Sequence, residues 1–135
     1  MTDVLIITGS ESDKPRIAPA IELLEEKGLS YQLEVISAHR NLKLLVEFLE
    51  THADEFLVII AAAGLSAALP GVVTSLVSRP VIGIPLEAGS LGGMDALLSI
   101  LQLPKGVPVA TMGIGKQGVL NAIHLAERII NLTRL

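Results

Sequence analysis

Ser37, His39 and Arg40 set a hydroxyl, an imidazole and a guanidinium within four consecutive positions. Imidazole is the side chain whose unperturbed pKa lies nearest neutrality, so it can both give and take a proton under working conditions. A guanidinium keeps its charge and offers a planar fork to phosphate or carboxylate. Together they suit proton transfer on an anionic substrate. The stretch follows an apolar-alternating run, Tyr31 to Ile36, and precedes an amphipathic run beginning near Asn41, so it reads as a strand-to-helix junction. Open α/β sheets bind ligands at such junctions, beyond the carboxyl ends of strands, where helix N-termini offer unpaired N–H groups to anions. By position alone, a loop histidine there is as compatible with a solvated surface as with catalysis.

Gly9-Ser10-Glu11-Ser12-Asp13 is a second loop with chemistry. Its glycine permits close backbone approach, its hydroxyls suit phosphate or ribose, and Asp13 is placed to cap the helix that follows. It is neither a Walker loop, for want of Gly-Lys-Ser/Thr, nor a dinucleotide fingerprint, for want of three spaced glycines. Gly113-Ile114-Gly115-Lys116-Gln117-Gly118 has that glycine spacing, yet no strand follows it and no acidic residue stands about twenty positions on. It reads as a helix-opening turn with Lys116 exposed. His52 and His124 fall within predicted helices without ligand-spaced partners, which points to surface or packing roles and to no metal site. A nucleophilic mechanism has no Gly-x-Ser-x-Gly elbow and no cysteine to rest on.

The elements that must position these loops follow from hydrophobic spacing. Val4 to Thr8 is an apolar run too short for a helix, and helical spacing runs from Ile17 to Leu24, ending at Gly28. After the strand at Tyr31 to Ile36, Leu42, Leu45, Val46 and Leu49 form the stripe of a second helix. Phe56 to Ala63 is apolar throughout, as a strand covered on both faces requires, so the sheet should be parallel. Pro70-Gly71 predicts a helix that starts late or breaks before Val72. A fourth strand at Pro80 to Pro85, a helix from Asp95 to Leu103, a fifth strand at Val107 to Met112 and a last helix from Val119 to Ile130 complete the alternation. This pattern predicts one domain over residues 1–135, a three-layer αβα, flavodoxin-like, doubly wound parallel sheet.

Composition narrows the partners. Only Tyr31, Phe48 and Phe56 are aromatic, too few for binding single-stranded nucleic acid by stacking. The formal charge of −4 disfavours a general hold on nucleic acid or an anionic membrane, while leaving room for a small basic pocket. No cysteine is present, which suits a cytoplasmic protein, and neither a secretory leader nor a membrane-spanning run is evident. Half of the residues are hydrophobic, more than a monomer of this size hides well, so self-association is expected.

Taken together, the loops at 9–13 and 37–40, Ala63-Gly64 with Leu69-Pro70-Gly71, Pro80 to Pro85, and Gln102-Leu103-Pro104-Lys105-Gly106-Val107-Pro108-Val109 resemble one family. It is the catalytic subunit of phosphoribosylaminoimidazole carboxylase, also called N5-carboxyaminoimidazole ribonucleotide mutase, of de novo purine synthesis. The resemblance covers residues 4 to 131. It implies a cofactor-free mutase that moves a carboxyl group from the exocyclic nitrogen of an aminoimidazole ribonucleotide to the ring carbon. It further implies that His39 is the general acid/base, that Ser10, Asp13 and Arg40 hold the ribose phosphate, and that Ser12, Ser37 and the Gly64 backbone complete the pocket. A homo-octamer and an ATP-dependent synthetase supplying the N-carboxylated substrate are the partners it implies. Direct carboxylation by dissolved carbon dioxide is the alternative activity, and a non-catalytic nucleotide-binding module the alternative class. Two positions depart from the family's pattern: Lys14 stands where many members have tryptophan, and Ala68 where many have a second histidine, which leaves His39 the sole candidate acid/base.

Overall fold

Short runs of Val, Ile and Leu become strands, and the segments with helical spacing fold back to cover them. The computed structural model describes residues 1–135. Its strands are β1 (Thr2–Thr8), β2 (Tyr31–Val35), β3 (Phe56–Ala63), β4 (Val81–Pro85) and β5 (Ala110–Thr111). Its helices are α1 (Lys14–Glu26), α2 (Leu42–His52), α3 (Leu69–Leu76), α4 (Met94–Ile100) and α5 (Lys116–Leu132). The strands form one sheet in the order β2-β1-β3-β4-β5, and every pairing is parallel. This is the flavodoxin-like winding the sequence predicts.

The alternation of β1 shows how the three layers are fixed. Val4 and Ile6 join Ile17, Leu24, Ile123 and Ile130 in the core beneath α1 and α5. Leu5 and Ile7 point the other way, into a core with Leu45, Leu49, Val73 and Ile100 from α2, α3 and α4. A strand covered on both faces must be apolar on both, as β1 and β3 are. Gly28 follows α1 with φ of +68°, the left-handed turn that lets the chain reverse into β2. At the far end, Arg134 reaches the Asp3 carboxylate and ties the C-terminal turn to the start of β1.

Several boundaries differ from the sequence expectation, each for a local reason. Helix α3 begins at Leu69 and takes Pro70 into its first turn, where a missing N–H costs nothing. Helix α4 stops at Ile100: Leu101 is extended, Gln102 has φ of +57°, and Pro104 restrains the residue before it. Strand β5 shrinks to Ala110–Thr111, because it has only β4 to pair with and Pro108 has no N–H to give. The Pro108 carbonyl instead accepts from Thr74 Oγ1 at 2.7 Å. Helix α5 opens directly at Lys116. The expected cap by Asp13 is corrected: its side chain makes no capping bond to α1. Ser10 acts as a cap one turn earlier, accepting from the Ser12 N–H at 3.3 Å and opening a 3-10 turn over Glu11–Asp13.

Candidate active site

The chain leaves β1 for β2 on one side and returns past it to β3 on the other, so the loops after β1 and β3 diverge at that seam. A crevice forms at such a reversal of strand order. Here it is a cavity of about 640 Å³. Ser10, Ser12 and Asp13 reach it from the end of β1, Ser37, His39 and Arg40 from the end of β2, and Gly64 from the end of β3. All seven residues singled out in the sequence therefore meet in one place.

Local hydrogen bonds set the two polar loops. Ser10 and Ser12 hydroxyls lie 2.9 Å apart, and Asp13 N–H donates to the Ser10 carbonyl at 3.1 Å, folding the first loop into a tight turn. In the second loop, Arg40 N–H donates to Ser37 Oγ at 3.1 Å and Asn41 N–H donates to the Ser37 carbonyl at 2.9 Å. That turn spends the Ser37 side chain on its own backbone and leaves His39 and Arg40 projecting, exposed, into the crevice. His39 is the only imidazole there. His52 lies elsewhere, with Nδ1 2.5 Å from Glu55 Oε2 and its ring against Phe48, and His124 is exposed on α5.

Asp13 is the buried charge of the site. Burial pushes its carboxyl above the ordinary value, and the nearby Arg16 and Arg40 guanidinium groups pull it back to some extent. The cavity thus gathers two cations around one carboxylate, an arrangement with positive charge to spare for an anion.

Sequence reading missed Arg16, Ser66, Leu65 and Ala88, which also line the cavity. Arg16 carried a signal, because it follows Ser12 and Asp13 by four and three positions and so shares their face of the helix start. Its Nη1 reaches the Ser12 carbonyl at 3.4 Å and Asp13 Oδ1 at 3.5 Å, both long contacts that leave the guanidinium free to move. Ser66 had the same signal as Gly64, a place just past the third strand. Ala88 carries no chemistry a sequence could advertise.

A family model described as AIR carboxylase matches residues 3–134. The chain belongs to the AIR carboxylase family. It is 46% identical over 127 residues to the N5-carboxyaminoimidazole ribonucleotide mutase of Bacillus subtilis, covering 93% of this chain and 78% of that protein. The mutase of the same name from Saccharolobus solfataricus is 45% identical over 133 residues, covering 98% and 83%. Among solved structures, Treponema denticola PurE superposes with a TM-score of 0.86 at 30% identity, over 98% of this chain and 82% of that one.

The two departures from the family's pattern have different settings. Lys14 does not line the cavity and pairs with Glu11 at 2.9 Å on the exposed surface. Ala68 lines the cavity with a methyl group. The glycine-rich turn at 113–118 proves to be packing: a Cβ on Gly118 would lie 2.1 Å from the Gly113 carbonyl oxygen. Gly115 and Lys116 do border a separate cavity of about 200 Å³, which touches the main site only through Arg16.

Proposed function

We propose that the chain is an N5-carboxyaminoimidazole ribonucleotide mutase acting in purine biosynthesis. The observation that carries this reading is the meeting of one imidazole, His39, with Arg40, Asp13 and the Ser10, Ser12 and Ser37 hydroxyls at the sheet's crevice, in a chain whose relatives bear that name. Arg40 holds the ribose phosphate with Ser10, and Asp13 takes a ribose hydroxyl. Ser12, Ser37 and the Gly64 backbone close the pocket.

His39 serves in both directions of one proton cycle. Protonated, it gives its proton to the exocyclic nitrogen as the nitrogen–carboxyl bond breaks and carbon dioxide leaves. The electron-rich ring carbon then attacks that carbon dioxide, a carbon–carbon bond forms, and the negative charge settles on the new carboxylate. His39 removes the proton left on the ring carbon, which restores the aromatic ring and the imidazolium. No proton is gained or lost overall. Holding carbon dioxide beside the ring is a problem of positioning and enclosure.

The same chemistry supplies the test. His39→Asn should abolish interconversion while nucleotide affinity stays within roughly tenfold, about 1.4 kcal/mol. Retained turnover would overturn the assignment. The family model's own description favours a second reading, direct carboxylation of aminoimidazole ribonucleotide. Turnover of the N-carboxylated nucleotide in carbon dioxide-depleted buffer supports the mutase, and a strict need for added bicarbonate supports the carboxylase.

A homo-octamer belongs to this proposal. Met94 and Leu98 stand exposed four positions apart on one face of α4, and Leu91 and Leu101 are exposed just outside its ends. Such a stripe is suited to burial between copies. Cytoplasmic residence beside an ATP-dependent synthetase that makes the N-carboxylated nucleotide completes the proposal. No helix is long and apolar enough to cross a membrane.

A further inference from the structure

Leu65 is the one large apolar side chain that stands exposed in the cavity wall, with 55% of its surface open. It holds a backbone conformation leucine avoids, with φ of +56°. Glycine or asparagine adopts that conformation at less cost. Strain of this kind persists only where surrounding contacts over-determine it, and it gathers at functional sites.

The contacts are there. Leu65 lies against the bare backbone of Gly89, where an added Cβ would fall 2.5 Å from Leu65 Cδ2. The residue before it does the same in reverse, since a Cβ on Gly64 would fall 2.7 Å from that of Ala88. The loop after β3 is thus clamped to the segment after β4 at two successive positions, and the clamp holds a leucine at the crevice. Ala38, Ala63, Ala68 and Ala88 line the same cavity and add small apolar surface to it.

Folding alone gives no reason for a strained, half-exposed leucine. The proposed reaction does. Carbon dioxide is uncharged, donates no hydrogen bond and accepts only weak ones, so polar groups alone hold it poorly, and an apolar wall that excludes water helps to retain it. We propose that Leu65 is the wall that keeps carbon dioxide at the site between its release from nitrogen and its capture by carbon. It is a specificity-determining residue that sets how much of the carboxyl group is lost to solvent. This inference rests on the mutase reading above.

The experiment labels the carboxyl group of the N-carboxylated nucleotide with carbon-13, supplies unlabelled bicarbonate, and reads the label in the product by mass spectrometry. Spontaneous decarboxylation is subtracted from a protein-free control. The wild-type protein should retain the label. Leu65→Gly, which removes the side chain and relaxes the backbone, and Leu65→Asn, which keeps the conformation and similar bulk but is polar, should each raise the exchanged fraction about tenfold. KM for the nucleotide should change little. A merely structural leucine would lower kcat or stability without moving the label. Unchanged retention in both variants overturns the inference, as does full retention in Leu65→Asn or a wild-type product carrying the solution carboxyl. A wild-type protein that leaves the labelled nucleotide unconverted overturns the mutase reading itself.

Discussion

Gly64→Ala isolates the contact on which the cavity wall depends. The new Cβ would lie 2.7 Å from the Ala88 Cβ, with Leu86 at an ordinary 3.7 Å. Two carbons settle at about 3.5–4.0 Å, so the two loops must separate by roughly 1 Å. Neither methyl can swing aside, because each is fixed to its backbone. Overpacking of this degree costs about 1–3 kcal/mol. Against it stands a gain of about 0.4–1 kcal/mol from a stiffer unfolded chain, available because Gly64 is not in the left-handed region. The net is a loss of about 1 kcal/mol in stability, read by urea unfolding. Activity should suffer more, since a 1 Å misplacement at a reacting site can cost about 10²-fold. Ala88→Gly in the same chain moves the methyl from one side of the contact to the other and should restore both quantities, with a coupling of about 1 kcal/mol or more. Wild-type kcat/KM in Gly64→Ala, or no rescue by Ala88→Gly, would refute this account of the wall.

Two further outcomes are expected. Asp13 has a folded-state pKa above its ordinary 3.8, so the folded chain holds the extra proton across that window, and stability falls as pH rises through it. Asp13→Asn should therefore be more stable than wild type near neutrality, the advantage fading to nothing below pH 3.8; thermal melts across pH check it, and an advantage that grows in acid would contradict the sign. Leu98→Glu places a charge on a side chain that is 60% exposed on α4. It should remove about 1.5–3 kcal/mol of apolar burial per copy from the association and lower the mass measured by light scattering, while circular dichroism stays unchanged.

The first four strands were legible in the sequence because runs of apolar side chains advertise burial without any knowledge of the neighbours, and their alternation with helices implied the doubly wound sheet. The site's polar members were legible for a related reason: Ser10, Asp13, His39 and Arg40 fall just past strand ends, where a parallel sheet places its ligands. What escaped was set by contacts between distant segments. No local pattern says that Leu65 will rest on Gly89, or that Ala88 will face Gly64. Strand β5 was overread because alternation describes a side-chain pattern, whereas a strand needs partners, and Pro108 and a one-sided edge left it few. Asp13 was taken for a cap because its type and position are those of one; the Ser10 hydroxyl caps a 3-10 turn ahead of α1 that takes in Asp13, and the Asp13 carboxylate lies toward Arg16.

The pairing of β3 with β4 grades the sheet from one end to the other. Ile59 and Ile60 pair with Val81 and Ile82, then Ala61 with Gly83, Ala62 with Ile84 and Ala63 with Pro85. Each methylene absent from a buried pair forgoes about 0.8 kcal/mol of burial. Towards the crevice β3 thus turns from isoleucine to alanine, and the end that carries the loops is held by the Leu86 N–H donating to the Ala63 carbonyl at 3.0 Å and by the close Gly64–Ala88 and Leu65–Gly89 contacts. The base of the sheet is thus fixed by bulk and its rim by close fit, so a change of one methyl group at the rim weighs on the cavity while the register of the strands below stays as it is.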